Sequence, residues 1–143
     1  MQYNYNKAAL AKGYKSGLED TLALSLEQQG VPVEYEKYKI KYKEPETDHT
    51  YTPDFKLPNG IIIETKGRFM PADRKKHLLV QAQYPHLDIR FVFTNPNNRI
   101  SKSSKTTYAA WCEKYGFQYS KKVIPEAWLK ESKKKNMKGL IEK

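Results

Sequence analysis

The sequence predicts an α/β fold, a mixed sheet flanked by helices, on three observations. Leu18, Leu22 and Leu26 recur every fourth residue and Gly30 follows them, the pattern of an amphipathic helix with a glycine after its end. Two short runs of strand-forming residues flank Pro58-Asn59-Gly60, the pattern of a hairpin. A stretch opening at Pro71 reads as helix and is followed by Ile89-Arg90-Phe91-Val92-Phe93, so strand, helix and strand stand in the order of a right-handed crossover. The strand over 89–93 should therefore lie parallel to the one over 61–66 in the same sheet.

Taken in order, residues 1–15 carry Lys7, Lys12 and Lys15 without an apolar stripe and read as a flexible basic arm. The folded body is expected over 16–132, beginning with a helix over 16–29. Residues 33–42 hold Val33, Tyr35, Tyr38, Ile40 and Tyr42 and predict an exposed or edge strand. Residues 43–48, with Pro45 inside, interrupt that pattern and are expected to form an extended bridge. Strands over 51–57 and 61–66 then form the hairpin, and a helix over 71–84 stops before Pro85. After a polar loop over 95–105 come a helix over 107–115 ending at Gly116 and a short one from Pro125 to about residue 129. Residues 133–143, which contain Lys133-Lys134-Lys135, are expected to be an unstructured basic tail. Tyr108, Trp111 and Trp128 fall at helical spacing and read as core, and Cys112 as a buried, inert thiol.

The 143 residues suit one domain and one active site per chain. Lys and Arg number 26 against 16 Asp and Glu, and the net charge of +10 suits a polyanion such as nucleic acid. A lone cysteine excludes an intrachain disulfide and a cysteine-rich zinc site, so an intracellular, cytoplasmic setting is expected. No run approaches the roughly 18 apolar residues of a membrane span, and no membrane partner is expected.

Loop length in the hairpin decides the chemistry, because residues opposite each other on paired strands share a face. A two-residue loop at Asn59-Gly60 sets Asp54 opposite Thr65 and splits the acidic residues between faces. A three-residue loop, a type I turn on Pro58 and Asn59 with Gly60 left-handed, sets Leu57 opposite Ile61 and Asp54 opposite Glu64. Pro-Asn-Gly favours the second. Thr52, Asp54, Glu64 and Lys66 then share one face, while Tyr51, Phe55, Leu57, Ile61 and Ile63 share the other and meet the core; Ile62 breaks the alternation. Two carboxylates held together repel unless a cation sits between them, and oxygen donors select a hard divalent ion such as Mg²⁺. A solvated hairpin face with surface ion pairs is the plainer alternative.

Pro53-Asp54, nine intervening residues and Glu64-Thr65-Lys66 at such a hairpin resemble the signature of the PD-(D/E)-x-K nuclease superfamily. A more extensive likeness runs through Ser16-Gly17-Leu18-Glu19-Asp20, His49-Thr50-Tyr51-Thr52-Pro53-Asp54-Phe55, Leu57-Pro58-Asn59-Gly60-Ile61, Glu64-Thr65-Lys66-Gly67 and Asp73-Arg74-Lys75-Lys76-His77-Leu78-Leu79. It continues through Leu87-Asp88-Ile89-Arg90 and Cys112-Glu113-Lys114-Tyr115-Gly116 to Ile124-Pro125 and Trp128. These segments resemble the bacteriophage endonuclease I family, which resolves DNA junctions.

The resemblance implies an intertwined homodimer that exchanges segments across residues 43–48 and cuts four-way (Holliday) junctions and other branched DNA with Mg²⁺ or Mn²⁺. It implies that Asp54 and Glu64 bind metal, that the Thr65 carbonyl completes the shell, that Lys66 assists catalysis, and that Glu19 of one chain completes the partner's site. Ser16-x-x-Glu19 is also a capping box, which by itself would assign the Glu19 carboxylate to the helix start. Lys7, Lys12, Lys15, His49, Arg74, Lys75, Lys76 and His77 are candidate DNA contacts, with a solvated basic face as the alternative for the cluster at 74–77. A non-catalytic architectural binder and a restriction-type nuclease of the same superfamily are the rival readings.

Overall fold

The computed structural model describes residues 13–143; the basic arm with Lys7 and Lys12 lies, apart from residues 13–15, outside them. Helix α1, Gly17–Gln28, starts at Ser16, whose Oγ accepts the Glu19 amide at 3.1 Å, and is followed by Gly30 at φ +72°. Its buried Leu22, Ala23 and Leu26 pack against Phe55, Leu57, Ile61, Ile63, Val92 and Trp128.

Strands β1, Tyr38–Glu44, and β2, Thr47–Tyr51, form an antiparallel hairpin, with Ile40 opposite Tyr51. Strand β3, Phe55–Lys56, is antiparallel to β4, Ile62–Lys66. Helix α2, Pro71–Gln83, carries the chain across to β5, Ile89–Phe93, which runs parallel to β4 as the order of elements requires. Helix α3, Tyr108–Tyr115, is capped by Thr107 Oγ1 on the Ala110 amide at 3.0 Å and ends at Gly116, φ +78°. Strand β6, Tyr119–Lys121, adds parallel to β5, helix α4, Glu126–Leu129, follows, and β7, Leu140–Glu142, pairs with β1. Among the described residues two sheets result, β2-β1-β7 and β3-β4-β5-β6.

Both faces of the second sheet are covered. Ile61 and Ile63 point under α1, whereas Ile62 and Ile89 meet Ile40, Tyr42, Tyr51 and Val80. Phe69, Phe91, Phe93, Tyr108, Trp111, Cys112 and Phe117 close the α3 side. All five residues of β5 are buried, as a central parallel strand requires, and the run Ile61-Ile62-Ile63 leading into β4 is explained the same way. Burial pushes the Cys112 thiol up to about 12, so it stays protonated.

Three expectations need correction. The strand over 33–42 is really β1 from Tyr38: Glu36 adopts φ +47° and kinks the chain, leaving Tyr35 in an isolated bridge to Phe55. Within one chain, residues 43–48 close the β1–β2 hairpin, with Lys43 opposite Asp48 and Glu44 opposite Thr47. Tyr51 belongs to β2 and sits with Ile40 in the second core, on the opposite side from Phe55 and Ile63. Residues 133–143 are ordered: Leu140–Glu142 forms β7, the Lys134 amide donates to Asn59 O at 2.7 Å, and Lys134 Nζ lies 3.1 Å from Asp88. The last two depend on pairing between residues far apart in sequence, which local composition does not encode.

Candidate active site

The hairpin turn builds the site. The Leu57 amide donates to Ile61 O at 2.8 Å, the Gly60 amide to Leu57 O at 2.9 Å, and Gly60 has φ +92°. These are the bonds of the three-residue loop, and the pairs Phe55–Ile63 and Lys56–Ile62 keep the register it sets. The same register places Pro53 across from Thr65, and proline has no amide hydrogen to continue the ladder. The β3–β4 pairing begins only at Phe55. Asp54 Oδ2 accepts the Thr65 amide at 2.9 Å and the Thr65 hydroxyl at 2.8 Å. The Lys66 carbonyl accepts the Thr94 amide on the β5 side, so the Thr65 carbonyl faces the interruption at Pro53.

Glu64, 4% exposed, precedes Thr65 in β4 and so points to the face opposite that of the Thr65 side chain. Its Oε1 accepts the Tyr51 hydroxyl at 2.8 Å and its Oε2 lies 3.5 Å from Lys66 Nζ. That ammonium is also 3.1 Å from Asp73 Oδ1, and Asp73 Oδ2 accepts the Met70 amide at 3.1 Å at the start of α2. Glu19 arrives from α1. Its carboxylate accepts the Tyr35 hydroxyl and the Lys15 amide, the latter at 3.3 Å, and the Thr65 hydroxyl lies 3.4 Å from its Oε1. Ser16 therefore caps the helix while the Glu19 carboxylate serves the site; the reciprocal half of a capping box goes to Lys15 instead of Ser16.

Electrostatically the cluster is overloaded with negative charge. Burial, then the charges of Glu64 and Glu19, hold the Asp54 carboxyl well above its usual range despite the two Thr65 hydrogen bonds. Burial raises Glu19 as well, against the hydrogen bonds from Tyr35 and Lys15. Burial opposes the charge on Lys66, but Glu64 and Asp73 outweigh it and hold the ammonium above the usual lysine range. Lys66 is thus a fixed cation beside a set of hard oxygen donors.

These residues fit a magnesium-type ion. Both hydrogen bonds to the Asp54 carboxylate among the described residues fall on Oδ2, and a cation beside it would offset the burial and the Glu64 and Glu19 charges that oppose its ionised form. Among the described residues no three His, Cys, Asp or Glu side chains form a ready-made cage. Mg²⁺ does not need one, since it is held by one or two carboxylates with waters and phosphate oxygens.

The fold thus gathers Glu19, Asp54, Glu64, Thr65 and Lys66 at one place. It disperses the candidate DNA contacts. Lys15 Nζ pairs with Glu36 at 3.0 Å while its amide supports Glu19. His49 stacks on Tyr42 and its Nε2 is 2.8 Å from Thr47 Oγ1, on the outer hairpin. Arg74 donates to Phe69 O at 2.6 Å, Lys75 pairs with Glu44, and Lys76 Nζ lies 4.9 Å from the Tyr51 ring centre. His77 is the clear correction: it is fully buried among Tyr51, Phe91 and Phe117 and presents no surface to a ligand. Burial, then Lys76 and Lys66, holds its pKa well below the usual histidine value. It completes the apolar face of α2 with Val80. Sequence reasoning missed Tyr35, Tyr51 and Asp73. Only Asp73 carried a signal, an acid in the first turn after Pro71.

The family profile described as phage endonuclease I matches residues 1–143. Endonuclease I of Escherichia phage T7 is 50% identical over 121 residues, 85% of this chain and 81% of the relative. Endodeoxyribonuclease 1 of Enterobacteria phage T3 is 51% identical over 123 residues, 86% of this chain and 81% of the relative.

Proposed function

The chain belongs to the phage endonuclease I family, and from that membership we propose that it is a structure-selective DNA endonuclease that resolves four-way junctions and other branched DNA by paired, metal-dependent phosphodiester hydrolysis. The observation that carries the reading is the convergence on Thr65: Asp54 accepts its amide and hydroxyl, Glu19 lies at that hydroxyl, and Glu64 and Lys66 flank it in β4.

In this reading Asp54, Glu64 and the Thr65 carbonyl hold Mg²⁺ or Mn²⁺, with Glu19 adding a further carboxylate. Such an ion, when bound, lowers the pKa of a water to make the nucleophile and offsets charge on the phosphate. The rest of the work falls to the chain. Lys66 cannot coordinate a cation, so its role is to orient the attacking water and to stabilise charge that develops on the phosphorus oxygens. Glu64 and Asp73 hold that ammonium from two sides, which keeps it charged and in place. The covered walls around Asp54 and Glu64, 8% and 4% exposed, exclude bulk water and strengthen these interactions.

The working unit in this reading is a homodimer in the cytoplasm of an infected bacterial cell. Opening the hairpin between Glu44 and Thr47 would let residues before the turn dock on the partner chain, so that Glu19 of one chain completes the site of the other. Two sites related by a two-fold axis suit a branch point, where two strands of similar geometry are cut in one encounter. A net charge of +10 favours phosphate contacts from either chain.

The decisive assay compares a fixed four-way junction with its linear duplex, each with Mg²⁺ or EDTA. Paired nicks in the junction with Mg²⁺ alone are expected. Tight binding without cleavage under every metal condition would support the architectural binder instead, and equal cutting of linear duplex at one sequence would support a restriction-type enzyme.

A further inference from the structure

Tyr51 stands outside every role so far assigned, yet its hydroxyl makes one of the shortest well-formed contacts in the site. It lies at the end of β2, opposite Ile40, and is 2% exposed. The hydroxyl donates to Glu64 Oε1 at 2.8 Å. The other carboxylate oxygen, Oε2, is the one facing Lys66 Nζ, at 3.5 Å.

The tyrosine ring has little freedom. His77 meets it edge-on, with ring centres 5.0 Å apart at 81°, and His77 is itself held by Phe91 at 4.8 Å. Lys76 Nζ lies over the ring at 4.9 Å. A glutamate has three side-chain torsions, so an unsupported Glu64 carboxylate would sample several orientations before meeting a cation. The phenol removes that freedom and, being neutral, does so without cancelling the negative charge that a cation needs. Thr65 treats Asp54 in the same manner, with its amide and hydroxyl both on Oδ2. One oxygen of each carboxylate is thus fixed by neutral donors.

We propose that Tyr51 is a positioning residue for Glu64, whose hydroxyl locks Oε1 so that Oε2 is presented to the metal and to Lys66. This rests on the metal reading of the site given above. The role is to lower the ordering cost of cation binding, and its loss shows as weaker metal affinity before it shows as lost chemistry.

The test uses Tyr51→Phe, which keeps the ring packing and removes only the hydroxyl. In calorimetric titrations of the DNA-free protein with Mn²⁺, the dissociation constant is expected to rise about tenfold. Junction cleavage is expected to need correspondingly more Mg²⁺ and to recover most of its kcat at saturation. In a Glu64→Gln background, adding Tyr51→Phe should change Mn²⁺ affinity no further, because the tyrosine acts through the carboxylate. An unchanged Mn²⁺ affinity in Tyr51→Phe, or an equal loss in the Glu64→Gln background, overturns the proposal while leaving the metal reading intact. Wild-type cleavage in EDTA overturns both together.

Discussion

Lys66 Nζ and Asp73 Oδ1 lie 3.1 Å apart, and through that contact the first turn of α2 is tied to the end of β4. Asp73 also accepts the Met70 amide, so one side chain starts the helix and steadies the ammonium. Asp73→Asn keeps much of the cap and removes the charge opposite Lys66. It should lower kcat on junctions by about tenfold or more, with substrate affinity little changed, and cost about 1 kcal/mol of stability or less. A kcat equal to wild type would show that Glu64 alone holds Lys66.

Removing the Asp54 charge should separate stability from chemistry. Its folded pKa is raised, so between its unfolded and folded values the native state binds more protons and stability falls as pH rises. Metal-free wild type should therefore lose thermal stability as pH climbs from the usual carboxylate range toward neutrality. Asp54→Asn should flatten that slope and raise the neutral, metal-free Tm by a few degrees. Cleavage should be abolished and junction binding kept. The check is a set of thermal melts across pH with and without Mg²⁺: wild type should gain stability from the ion by mass action and the variant should not.

Site composition across chains is open to a complementation experiment. Glu19→Ala and Asp54→Ala proteins are each expected to be inactive, and denaturing and refolding them together should restore one intact site per heterodimer if Glu19 is contributed in trans. Such heterodimers would nick junctions at about a quarter to a half of wild-type rate. Continued inactivity, with heterodimers verified by mass, would mean that each chain uses its own Glu19, the arrangement in which Thr65 Oγ1 lies 3.4 Å from Glu19 Oε1.

DNA contacts should follow exposure. Deleting residues 1–12 leaves the Lys15 amide on Glu19, so it should flatten the salt dependence of junction binding without changing metal affinity. Lys75, whose side chain is 63% exposed, should contribute about 0.9 to the logarithmic salt slope if it meets one phosphate. His77→Leu should leave that slope unchanged, because the ring is fully buried. Fluorescence anisotropy at several salt concentrations reads all three, with scrambled-arm junctions as the control for sequence dependence.

The sequence alone determined what local chemistry determines. Pro58-Asn59-Gly60 sets a three-residue turn through proline's fixed φ and glycine's access to φ +92°, and that turn sets the register that pairs Phe55 with Ile63. Leucine spacing and terminal glycines likewise placed α1 and α3, and the crossover rule placed β5 beside β4. The tertiary structure decided what depends on residues meeting across the chain. Tyr35 and Tyr51 reach carboxylates 16 and 13 residues away only because β2 and the kink at Glu36 fold over the sheet. His77 reads as a surface base by its neighbours but lies on the inner side of α2, since a helix turns each residue about 100° from the last. Leu140–Glu142 becomes a strand only where β1 offers an edge. A turn is specified by the torsions of three or four adjacent residues, whereas a sheet partner or a buried hydrogen bond is specified by which distant surfaces exclude water together.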